Sequence, residues 1–156
     1  MAKWISVLSS VLFLFLFTSM GAKTIEPDQH RKAVESFKQE YKEFTMAMKR
    51  GESGTCSQLL QSLVKKAKAE WDLTKEKHQW FGTYKCNSID QESIAYQLKG
   101  RVTKQEEILA GLTGLSTKEV LDAQSMETAE RYLSFLYDSM KENLEESETI
   151  ASSCGL

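Results

Sequence analysis

The chain's single proline, Pro27, constrains the fold more than any other feature. Proline removes a backbone donor and breaks helix interiors, so the sequence after it is open to long uninterrupted helices. Pro27 itself suits a first helical turn, and Asp28 suits the positive end of the helix dipole. Val34, Phe37, Tyr41, Phe44 and Met48 then recur at spacings of three and four, which predicts one apolar helical face. Lys49, Arg50 and Gly51 supply a basic last turn and a glycine stop.

A second helix is expected from the Ser53-Gly54-Thr55-Cys56 stretch to Gly82. Its core face is predicted as Cys56, Leu59, Leu60, Leu63, Ala67, Trp71 and Phe81. A third starts near Ser88, read as its cap with Gln91 three residues on. It presents Ile94, Leu98, Ile108, Leu109 and Leu112, and Gly111 and Gly114 are expected to close it. Ser116 to Glu119 match a capping box for a fourth helix. That helix carries Leu121, Ala129, Tyr132, Leu133, Leu136, Met140 and Leu144, with Ser125 as a point where it could break. Four helices with short connections predict an all-α, up-down-up-down four-helix bundle with long antiparallel helices.

Ahead of the helices, Lys3 precedes an apolar stretch from about Ile5 to Phe17, then the small residues Ser19 and Gly21. This pattern predicts a secretory signal peptide over residues 1–21 and a single helical domain over 22–156. Ser9 and Ser10 interrupt the apolar stretch and shorten it below the roughly 20 residues of a membrane span. No second run of spanning length follows, so no membrane span is expected in the mature chain, and the localisation expected is secreted and extracellular.

The mature chain would retain about 135 residues, 19 basic and 22 acidic, a net charge of −3. That balance argues against a nucleic-acid partner. In the stretch Lys65–Trp80, Glu70, Asp72 and Glu76 are interleaved with the lysines, and this predicts a solvated, salt-bridging surface. The adjacent carboxylates Glu106–Glu107 and Glu145–Glu146 read the same way.

Secretion also frames the three cysteines, since a pair should be bridged in an oxidising compartment. Cys56 and Cys86 bracket the second helix and lie roughly 40 Å apart at 1.5 Å rise per residue. A disulfide needs Cα atoms within about 7 Å. Cys86 and Cys154 share one end of an up-down-up-down bundle, so they are the predicted pair. Cys56 is left as a free thiol: a buried apolar residue, an intermolecular link to a second copy in a homodimer, or a thiol activated at a helix N-terminus.

Motifs for catalysis are missing, and His30 and His78 stand on different helices without metal-ligand spacing. The expectation is therefore a non-enzymatic protein with no catalytic residues, metal or cofactor. It would act by binding an unidentified protein partner, as a ligand or effector. Ala69, Leu73 and Trp80 lie off the core face of the second helix, and such a stripe is either covered by another segment of the chain or serves as the predicted partner surface. The alternative is a carrier of a small hydrophobic ligand between the helices, with Arg101 and Gln105 as polar anchors among apolar walls.

Overall fold

The computed structural model describes residues 26–155; the expected leader, residues 1–21, lies outside them. Among the described residues there are four helices and no strand: α1 Pro27–Lys49, α2 Ser53–Phe81, α3 Gln91–Ser116 and α4 Ala123–Cys154. Cross-helix contacts fix their directions. Late α1 meets early α2 where Cys56 Sγ lies 3.9 Å from the Phe44 carbonyl, and early α1 meets late α2 at His30 and Glu70. Tyr41 reaches Glu130, and Arg31 reaches Glu148. Arg101 reaches Asn143, and Gln105 reaches Ser139. Every neighbouring pair is antiparallel, and the four form an up-down-up-down bundle.

Local chemistry sets the helix ends. α1 begins with Pro27 in its first turn, and Gly51, with φ of 70°, turns the chain into α2. Only a residue without a Cβ takes that backbone conformation without strain. α3 is capped by Asp90, whose carboxylate accepts from the Ser93 amide at 3.2 Å. Ser88, the cap expected from the sequence, lies outside the helix. Gln91 binds the preceding loop instead, accepting from the Cys86 amide at 3.0 Å and donating to the Phe81 carbonyl at 3.1 Å.

Gly111 and Gly114 were expected to end α3, yet the helix continues through both to Ser116. The predicted capping box at Ser116–Glu119 is likewise replaced. Asp122 caps α4, accepting from the Ser125 amide at 2.7 Å, so Ser125 sits in the first turn and breaks nothing.

The core is in two parts. The larger joins Val34, Phe37 and Phe44 of α1, Leu60 and Leu63 of α2, Leu109 and Leu112 of α3, and Leu133, Leu136 and Met140 of α4. The smaller joins Trp80, Phe81, Leu98 and Ile150, with Ile94 and Cys154 against them. α1 contributes nothing to the smaller part. At that end the Cys86–Cys154 disulfide, with Cα atoms 5.8 Å apart, ties the α2–α3 loop to the end of α4.

Candidate functional site

Between the two cores the apolar stripe of α2 turns polar without losing its period. Leu63, Ala67, Glu70, Thr74, Lys77 and Phe81 recur at four, three, four, three and four residues, and all six are buried. A helix keeps one face inward at that spacing whatever the side chains are. Glu70 and Lys77 therefore enter the interior, where the sequence had suggested a solvated surface. Taking an ion out of water costs several kcal/mol, so each must find partners inside.

The partners come from the other three helices. His30 of α1 is fully buried, with Nδ1 2.8 Å from Glu70 Oε1. The Asn143 amide of α4 donates to Thr74 Oγ1 at 2.8 Å and to Glu70 Oε1 at 3.4 Å. Lys77 donates to the Asn143 carbonyl at 3.0 Å and to Ser147 Oγ at 3.1 Å, and its Nζ lies 3.0 Å from Glu146 Oε1. Arg101 of α3 completes the belt, binding Glu146 and donating to Asn143 Oδ1 at 3.1 Å. Burial pushes the Lys77 ammonium below its ordinary range, and Glu146 only partly opposes this. The Glu146 side chain is 11% exposed and sits between two cations, so it is not part of a solvated acidic face.

The belt reaches solvent along the seam between α3 and α4, which is packed more loosely than α1 on α2 or α2 on α3. Near the top of the seam the helices come close: a Cβ on Gly111 would lie 3.1 Å from the Tyr132 ring. Lower down a groove opens between Ile94, Gln97, Gly100, Arg101 and Lys104 of α3 and Glu142, Glu145, Glu146 and Thr149 of α4. It shares Gln97, Gly100 and Lys104 with a second depression across α3 that includes Tyr96, which is 81% exposed. Phe135, 42% exposed, lies two helical turns before Glu142 on the same face of α4.

The residues singled out in the sequence are distributed differently from expectation. Trp80 is 8% exposed and packs edge-on to Phe81 at 4.9 Å between ring centroids, with Tyr84 stacked on it at 4.4 Å. Leu73 is half-buried and Ala69 exposed. The three therefore do not form one outward stripe, because α3, α4 and the α2–α3 loop cover Trp80.

Arg101 and Gln105 do face inward, but their polar heads are engaged with the neighbouring helix. Gln105 donates to Ser139 Oγ at 2.9 Å, and Arg101 is held by Asn143 and Glu146. Cys56 is free and fully buried, and burial pushes its thiol up. Of the three roles expected for it, this burial agrees with that of a small buried apolar residue. His78 takes no part in the belt; His30, which the apolar face of α1 did not include, does. Among the described residues no cluster of His, Cys, Asp or Glu could hold a metal ion, and no helix is long and apolar enough to cross a membrane.

No protein-family model, curated protein or solved structure matches this chain.

Proposed function

We propose that this chain is a secreted helical-bundle protein that acts by binding another macromolecule and not by catalysis. The observation that carries this reading is the open α3–α4 groove. It is a length of the bundle where two of its own helices do not close on each other, and exposed Tyr96 stands in the depression beside it. The secretory leader pattern of residues 1–21 and the Cys86–Cys154 disulfide support an oxidising, extracellular setting. The ionisable groups inside are bound to one another across the helices, an arrangement that suits a fixed scaffold for a surface better than a reactive centre.

Native mass spectrometry of the protein taken from its source fluid, followed by cross-linking, tests this. The expected result is a chain beginning near Ala22 in complex with another macromolecule, with cross-links on α3 or α4. A chain carrying one stoichiometric small apolar molecule would replace this reading with that of a carrier.

A further inference from the structure

We infer that the Cys86–Cys154 disulfide is a redox site addressed from one side: a small external thiol or dithiol attacks Cys154 Sγ, and Cys86 leaves as the thiolate. The site is separate from the α3–α4 groove and does not rest on the binding reading. The two sulfurs differ in access. Cys86 is 7% exposed, whereas Cys154, the last residue of α4, is only half-buried against the smaller core. An attacking thiolate approaches along the S–S axis from beyond the sulfur it strikes, so the open side is that of Cys154. Exposed disulfides are the labile ones, and enclosed ones resist reduction.

They also differ in how well each holds a negative charge. Cys154 stands at the negative end of the α4 dipole, and no basic residue in the last turn offsets it. Cys86 lies ahead of the positive end of α3, its amide donating to Oε1 of Gln91, the first residue of that helix, at 3.0 Å. Among the charges near it in sequence, exposed Lys85 and Glu92 offset each other, and Asp90 is engaged as the α3 cap on the Ser93 amide. The sulfur that forms the better thiolate leaves faster, so access and charge select the same direction of cleavage.

As the new bond to Cys154 forms, the old one breaks and its electron pair goes to Cys86, which then takes up a proton. With a dithiol, the second thiolate displaces Cys154 in turn. The dithiol ends as a disulfide and the protein as two thiols, having gained two electrons and two protons. Cys56 takes no part, because it is fully buried in the first turn of α2, at the far end of that helix from Cys86. The reduced pair therefore re-forms the same bond. Reduction frees the α2–α3 loop from the end of α4 beside Trp80, Phe81 and Ile150, while the larger core stays closed.

The test uses the folded, oxidised chain without its leader. Reduced glutathione is added in native buffer, the reaction is quenched with N-ethylmaleimide, and the peptides are mapped by mass spectrometry. The expected product carries glutathione on Cys154 and maleimide on Cys86, with Cys56 unlabelled until the chain is unfolded. Dithiothreitol in native buffer should cleave the bond within about a hundredfold of its rate in urea, where both sulfurs are open. Hydrogen exchange should rise around residues 80–98 and 147–154 and return on reoxidation. Glutathione on Cys86, or on both cysteines alike, would overturn the direction of attack. Cleavage slower than that hundredfold limit would overturn the inference by making the bond a closed structural one. Labelling of Cys56 in the folded chain, a bond re-formed through Cys56, or exchange rising along all four helices would overturn it as well.

Discussion

Lys77 and Tyr41 show how single buried groups write themselves into the pH dependence of stability. The folded protein holds the Lys77 ammonium away from water, so it gives up its proton below the ordinary 10.5. Below its folded pKa the penalty is fully present; as pH rises towards 10.5 the unfolded chain binds more protons, and stability rises. Tyr41 acts in the opposite sense. Burial, with the Glu130 carboxylate accepting from its hydroxyl at 2.8 Å, pushes it from 10.0 up to about 12. Its contribution is complete below pH 10.0 and is lost as pH rises through about 12. Urea midpoints measured across the alkaline range should therefore climb less steeply in Lys77→Met and fall less steeply in Tyr41→Phe than in wild type. The tyrosine variant should cost about 1 kcal/mol at neutral pH, the usual worth of one hydrogen bond. Unchanged pH slopes in both variants would mean that these side chains are solvated. The belt around Lys77 was only half legible in the sequence. The four-three spacing through Glu70, Thr74 and Lys77 was there to be read, but a lysine-rich stretch reads as surface until its partners are known. Those partners, His30 and Asn143, lie 40 and 73 residues from Glu70 and on other helices.

Helix by helix, legibility follows the strength of the local signal. α1 carries an apolar period along its length and α2 keeps its four-three period through a polar middle, and their ends fall where Pro27, Gly51 and Gly82 suggest. α3 is harder because its apolar residues are not confined to one face, and two glycines near its end resemble a stop. Tertiary packing overrides that signal: Leu109 and Leu112 are buried on either side of Gly111, so the helix gains by continuing. The exposed glycines consequently sit in α3 at a cost. A Cβ added at Gly100 or Gly114 would meet nothing within 4 Å, whereas one at Gly111 would stand 3.1 Å from the Tyr132 ring. Gly100→Ala and Gly114→Ala should each raise stability by about 0.5–1 kcal/mol, the propensity difference inside a helix. Gly111→Ala should give none of that gain, because Tyr132 must move. Thermal unfolding of the three variants decides the matter, and an equal rise at Gly111 would show that α3 and α4 are not in close contact there.

At the level of the whole molecule, the polar belt separates a large core shared by four helices from a small one built by three. Below the belt no α1 residue joins Trp80, Phe81, Leu98 and Ile150, which pack with Ile89 of the α2–α3 loop and Cys154 at the end of α4. Among the described residues this core is the smaller of the two, and the disulfide adds a covalent tie across it. Joining Cys86 to Cys154, 68 residues apart, restricts the unfolded chain by about 4 kcal/mol in the chain-entropy treatment. The pairing could be anticipated because it depends only on which end of the bundle each helix reaches; that no α1 residue joins the smaller core could not, since it depends on where the belt falls. Cys86→Ser with Cys154→Ser should therefore lower stability by up to about 4 kcal/mol, and the loss should be uneven. Hydrogen exchange should rise first at amides around residues 80–98 and 147–154, while Phe37, Leu60, Leu112 and Leu133 keep their protection. Uniform loss along all four helices would instead mean that the belt couples the two cores into one cooperative unit.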